Sequence, residues 1–222
     1  RNAACDRLAP MGEIIDISRL VSEETSVWPG DTAFSRTWVM SMADGCACNT
    51  STITLSAHTG AHTDAPSHFV DDGPTLDQVE LGNYIGPCRV VHAKHRDAIR
   101  LDDLDGLDLA EEERLLFRTL EPPTDNTWDD GFTHVSVEAA RAAADGGLKL
   151  IGIDTPSMDP MTSKTLDAHK ALFEGGVAIL ESVDLSGVDE GRYELIALPL
   201  KISGGDSSPV RAILRTLDGA TR

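Results

Sequence analysis

The chain has 222 residues, of which 19 are basic and 37 acidic, giving a formal net charge of -18. So acidic a protein argues against nucleic acid or an anionic membrane as partner, since both require a positive surface. No apolar run approaches the roughly 18 residues of a membrane span, and the length suits one domain, residues 1–222, with a large core. The start, Arg1 to Pro10, has no apolar stretch of the kind a secretory signal needs, although the chain does not begin with Met. The cysteines Cys5, Cys46, Cys48 and Cys88 are too few for a disulfide framework, so a reducing cytoplasm is the expected compartment. Cys46 and Cys48 lack the second pair that a structural zinc site would need.

Ile14 to Ile17 reads as a short strand, leading to the turn-rich loop Trp28-Pro29-Gly30-Asp31. Thr50 to Ser56 alternates polar residues with Ile53 and Leu55 and is rich in β-branched side chains, the pattern of a half-buried strand. Continued at period two, it puts His58, His62 and Asp64 on one parity, with Gly60 leaving space between them. Cys88 to Ala93 reads as a strand after the Gly86-Pro87 turn, and its His92 and the nearby His95 belong to no clear constellation. Asp102-Asp103-Leu104-Asp105 and Glu111-Glu112-Glu113 read as solvated faces. Leu115 to Thr119 is another strand, followed by a polar loop through Asp130.

An alanine-rich helix is predicted over Val135 to Asp145, ended by Gly146-Gly147, with Ser136 as its cap and His134 just before its start. Leu148 to Asp154 is a core strand whose carboxyl end carries Asp154, Thr155, Pro156 and Ser157, candidates for a pocket wall. A second helix is predicted over Lys164 to Glu174, closed by Gly175-Gly176, and then a short apolar strand from Val177 to Glu181. Lys201 to Asp206 reads as a flexible loop near the site.

The stretch from His58 to Phe69 holds the densest chemistry. Imidazole and carboxylate are the usual N/O ligands for zinc or manganese, and His58, His62 and Asp64 supply both types within seven residues. His68 is then available to move protons near pH 7. Gly60, Pro66 and the extended bias of Ala65 exclude a helix here, so the His-x3-His spacing is not that of a helical zinc protease. Asp64 can be either a ligand or a carboxylate that orients a neighbouring histidine, and the sequence does not separate the two. On the second helix His169 lies three residues from both Leu166 and Leu172, which turns it toward the core. Glu181 ends the otherwise apolar row Val177-Ile179, and a buried carboxylate needs a metal or another strong partner. These features imply metal-dependent hydrolysis, with His169 still readable as a satisfied core histidine.

Further segments join the histidine stretch in a wider pattern: Val27 to Thr32, Asp44 to Ser56, Leu150 to Ser157, Ser163 to His169, Ile179 to Glu181, Tyr193 to Leu200 and Ser208 to Ala212. With the order histidine, histidine, aspartate, proline, histidine, aromatic, they make the chain resemble the cyclase-like metal-dependent hydrolase family, in particular its bacterial kynurenine formamidase (arylformamidase) branch. The resemblance runs in register through nearly the whole chain. It implies a compact α/β domain of the swivelling β/β/α type with a barrel-like mixed sheet core, usually paired as a homodimer. It also implies two divalent metal ions per subunit, zinc ahead of manganese. His58, His62 and Asp64 would hold one ion, and Asp64 would bridge to a second held by His169 and Glu181. His68 would be the catalytic acid/base, and Trp28 would line the pocket for a small aromatic amide.

The activity implied is hydrolysis of N-formyl-L-kynurenine to L-kynurenine and formate, a step of tryptophan degradation. Thr155 and Ser157 are the nearest candidates to bind the substrate's amino-acid end. Two other readings share the same signature: opening of a cyclic amide such as isatin, and a metal-binding protein of this fold without activity. The intact His68 beside the ligand set argues against the last, since a structural metal needs no spare base.

Overall fold

A computed structural model describes residues 12–94, 97–119 and 128–217. The opening eleven residues with Cys5, His95, and much of the polar loop before Asp130 lie outside the described residues. In chain order the strands are Ile14–Asp16 (β1), Ser35–Met40 (β2), Thr50–Thr54 (β3), His62–Asp64 (β4), Ile85–His92 (β5), Ala98–Ile99 (β6), Arg114–Arg118 (β7), His134–Val135 (β8), Leu150–Ile153 (β9), Ala178–Glu181 (β10), Gly191–Ile196 (β11), Ser207–Pro209 (β12) and Ile213–Thr216 (β13). Helices Val137–Asp145 (α1) and Asp167–Glu174 (α2) lie on either side of β9 in the chain.

Nine strands form one mixed sheet in the order β1-β13-β11-β5-β7-β9-β10-β4-β12, curled like a half-barrel. Its centre, β5-β7-β9-β10, is parallel, and antiparallel pairs extend it on both sides. Central parallel strands are covered on both faces, so their sequences are continuous apolar runs such as Leu115-Leu116-Phe117 and Leu150-Ile151. Period-two alternation then divides these runs between two cores. Leu115, Phe117, Ile151, Ile153 and Ile179 pack with Ala139, Ala143 and Leu172 of the helices. Leu116, Leu150 and Leu180 pack instead with Val90, Leu195 and Leu214. Each such side chain stabilises the fold by roughly 1.5–3 kcal/mol when fully buried. No helix among the described residues is long and apolar enough to cross a membrane.

Several expectations need correction. Thr50–Thr54 pairs only with Ser35–Met40, in a separate two-stranded sheet, and Ile53 is 55 % exposed rather than half-buried. The strand does not continue to Asp64: the chain leaves it after Thr54, turns through His58 and Gly60, and starts a new strand at His62. Helix α1 begins at Val137 because His134 and Val135 pair with Ala98 and Ile99, and Ser136 then caps it by accepting the Ala139 N–H at 3.2 Å. Helix α2 begins at Asp167, three residues later than its pattern suggests. Its first-turn donors Ala168 N–H and His169 N–H are taken by the Asp159 carboxylate at 3.2 and 3.0 Å, and Leu166 sits outside the helix at φ +51°. The acidic runs are only partly solvated. Asp103 is buried and accepts the backbone N–H groups of Lys94 and Arg100, while buried Glu112 pairs with Arg89 and Arg192.

Candidate metal centre

Strand β4 has only three residues, yet it brings the chemistry together. It lies between β10 and β12, with His62 opposite Glu181 and Asp64 opposite Ile179 and Ser207. Side chains directly across an antiparallel pair share a face, so His62, Asp64 and Glu181 converge there. Helix α2 presents His169 to the same point, and the turn before β4 supplies His58. Gly60 permits that turn, holding φ +68° where a side chain would be strained. His62, Asp64, His169 and Glu181 are each at most 4 % exposed.

Two of the histidines have one ring nitrogen fixed on an outer acceptor. His62 Nδ1 donates to the Gly60 carbonyl at 2.8 Å, which leaves Nε2 facing Glu181 at 3.3 Å and Asp64 at 3.6 Å. His169 Nδ1 lies 2.6 Å from the Asp159 carboxylate, and its Nε2 likewise faces Glu181 at 3.3 Å and Asp64 at 3.6 Å. Outer-acceptor anchoring of this kind orients imidazoles as metal ligands. His58 places Nδ1 3.0 Å from Asp64 and Nε2 3.1 Å from Asp206. Both oxygens of Asp64 are buried and make no well-directed hydrogen bond, even with three imidazoles around them. Ring nitrogens and carboxylate oxygens crowded without hydrogen-bond alignment fit a divalent cation, the partner for which this N/O donor set is suited.

Among the described residues the potential donors converge in two groups, His58-Asp64-His68 and His62-Asp64-Glu181, with Asp64 common to both. His62 lies with Glu181 in one group, and His58 lies with His68 in the other. His169 contacts Asp64 and Glu181 from the helix side. His68 lies beside His58, ring centroids 4.3 Å apart, with Nδ1 3.9 Å from Asp206.

Electrostatics follow from this crowding. Burial pushes the His58 imidazole down, but Asp64 and Asp206 outweigh it and hold it up at about 9. Burial is likewise outweighed at His169, where Asp159, Asp64 and Glu181 raise the imidazole well above its ordinary value. Desolvation would raise Asp64, yet His169 and His58 hold it well below the usual carboxylate range. His68 differs, because burial wins there and lowers its pKa.

The cluster opens into a cavity of about 730 Å³, a size suited to a small organic ligand. It lies at the carboxyl ends of β7, β9 and β10, where open α/β sheets place their ligands. Trp28 is in its wall, edge-to-face with Trp128 at 5.3 Å and with Phe132 at 6.2 Å. Thr155 and Ser157 also line it. The Thr155 hydroxyl donates to the Thr133 carbonyl at 2.6 Å, so it offers an acceptor. Ser157 Oγ accepts the Asp159 N–H at 3.3 Å and retains its own proton. Lys201–Asp206 touches the site through Asp206. Trp128, Phe132, Asp159 and Arg19 were not singled out in the sequence, and Asp206 only as part of the Lys201 to Asp206 loop. The aromatic pair stood out inside an otherwise polar strand-end loop, whereas the others had no local signal.

The family model described as "Putative cyclase" matches residues 15–160. A protein from Salinibacter ruber named kynurenine formamidase is 44 % identical over 91 % of this chain and 97 % of its own length. One of the same name from Delftia acidovorans is 46 % identical over the same shares. Among solved structures, a potential metal-dependent hydrolase with cyclase activity superposes with a TM-score of 0.81 at 31 % identity, covering 93 % of this chain and 98 % of that one. An isatin hydrolase from Labrenzia aggregata shares the fold at a TM-score of 0.75 and 24 % identity, over 92 % of this chain and 93 % of that one.

Proposed function

The chain belongs to the cyclase family, with proteins named kynurenine formamidase among its relatives, and from that premise we propose that it hydrolyses N-formyl-L-kynurenine to L-kynurenine and formate. The observation that carries this reading is Asp64, buried without a well-directed hydrogen bond among imidazoles at the floor of an aromatic-walled cavity.

In this proposal His58, His62, Asp64, His169 and Glu181 hold two divalent ions, with Asp64 between them. Zinc, favoured over manganese for this donor set, would supply a Lewis acid for the formyl oxygen and water acidic enough to deprotonate near neutrality. Trp28, Trp128 and Phe132 hold the aryl ring and keep bulk water away. Burial lowers the pKa of His68, which favours its neutral, proton-accepting form. It takes the proton from the attacking water and returns it to the arylamine nitrogen as the formyl C–N bond breaks. Ser157 is a donor, and Thr155 an acceptor, for the polar end of the substrate.

The homodimer and the cytoplasmic location belong to the same proposal. The first is supported by exposed apolar residues on the hairpin β2–β3, among them Trp38, Val39 and Ile53, and the second by the low cysteine count. Opening of a cyclic amide is the secondary reading, since the isatin hydrolase likeness extends to the fold alone.

His68→Asn tests the assignment of roles. Formate release from N-formyl-L-kynurenine should fall by ~10²–10⁴-fold while elemental analysis finds the metal content unchanged. Full activity in that variant would remove His68 from the chemistry.

A further inference from the structure

N-formyl-L-kynurenine ends in an α-carboxylate, and the cavity wall is mostly neutral on its aromatic side, with Asp31 and Asp129 as its carboxylates there. Among the described residues that line the cavity, Arg19 is the one lysine or arginine. Among the described residues its charge acts on the Asp154 carboxylate without a direct ion pair, which leaves the guanidinium edge for a ligand.

Arg19 is also held in place. Its Nη2 donates to the Asp154 backbone carbonyl at 2.7 Å, one residue before Thr155 in the cavity wall. Asp154 is itself fixed, its carboxylate accepting the Thr119 N–H at 3.0 Å and the Thr119 hydroxyl at 2.8 Å. The segment that carries Arg19 is pinned on both sides. Ile17 O accepts the Asp184 N–H at 2.8 Å, and Ser18 Oγ exchanges hydrogen bonds with the backbone of Ala212 at 2.8 and 3.1 Å. Ser182, next to Glu181, donates to the Thr155 carbonyl at 3.0 Å, which ties this wall to the end of β10. A guanidinium has five N–H donors in a rigid fork matched to a carboxylate, and one described bond leaves most of them for a ligand.

We infer that Arg19 is the residue that binds the substrate's α-carboxylate and thereby selects amino-acid aryl formamides over simple ones. This rests on the formamidase reading above, and it makes Arg19 a specificity determinant acting away from the bond that breaks.

The test compares N-formyl-L-kynurenine with N-formyl-2-aminoacetophenone, which keeps the aryl formamide and ketone but lacks the amino-acid end. Wild-type protein should prefer the first. Arg19→Gln should lower kcat/KM for it on the order of 10²-fold, mainly through KM, and change kcat/KM for the second by less than about threefold. Arg19→Lys should recover part of the loss, since an ammonium keeps the charge without the fork. Equal losses on both substrates would assign Arg19 a structural role and overturn the inference, as would a wild type that does not distinguish them. Either result would leave the formamidase reading intact if formate is released. If wild type releases formate from neither compound, that reading falls. Calorimetric binding of L-kynurenine then decides for Arg19: weakening in Arg19→Gln supports it, and unchanged or absent binding overturns it.

Discussion

The side chains around Asp64 show how far single residues can be read. His58, His62, His68, His169 and Glu181 stand out in the sequence because imidazoles cluster, or because a polar group ends an apolar row. Their anchors do not. Asp159 orients His169 from ten residues away, and Asp206 reaches His58 across 148 residues, so tertiary contact alone defines these pairs. Asp154, whose backbone carbonyl holds Arg19, carries a separate consequence. Burial raises its carboxyl to about 6 despite the hydrogen bonds from Thr119. The folded protein therefore holds this proton more tightly than the unfolded chain, whose aspartates titrate near ~3.9. The stabilising contribution of that proton is fully present below about pH 4 and is lost as pH rises through 6. Asp154→Asn has no such titration, so its stability relative to wild type should improve by up to ~3 kcal/mol between pH 4 and pH 7. Urea unfolding at the two pH values would measure this, and a difference independent of pH would refute it.

Among the elements, those that were legible are the ones with strong local patterns. The apolar runs that became β7, β9 and β10 and the capped helix α1 were recognisable from composition and capping chemistry. Strand β4 was legible only as a continuation of Thr50 to Ser56, since its separate place in the main sheet depends on pairing with β10 and β12, distant in sequence. The start of α2 was displaced for a similar reason, its first-turn donors being satisfied by Asp159 from outside the helix. The two helices also depend on a close approach. A Cβ on Gly175 would lie 2.3 Å from the Ala144 Cβ and 2.8 Å from its Cα, and helix backbone cannot yield cheaply. Gly175→Ala should therefore destabilise the protein by ~1–3 kcal/mol through overpacking between α1 and α2. Thermal unfolding should show a lower Tm, and an unchanged Tm would mean that the helices are free to move apart.

For the whole molecule, the parallel centre of the sheet sets strand ends, a metal-ligand cluster and an aromatic wall around one cavity. The mixed α/β class could be read from alternating strand and helix signals, but the curled nine-strand order could not, because its crossovers depend on long-range pairing. The whole chain carries a formal charge of -18, whereas the cavity wall holds an arginine, Arg19. The most direct test of the central claim is formate release from N-formyl-L-kynurenine, run beside isatin, on protein stripped of metal and reloaded with zinc or manganese. Formyl hydrolysis that disappears on stripping and returns on reloading, with little opening of isatin, is the predicted result. Failure to release formate with metal bound, or opening of isatin alone, would contradict the account.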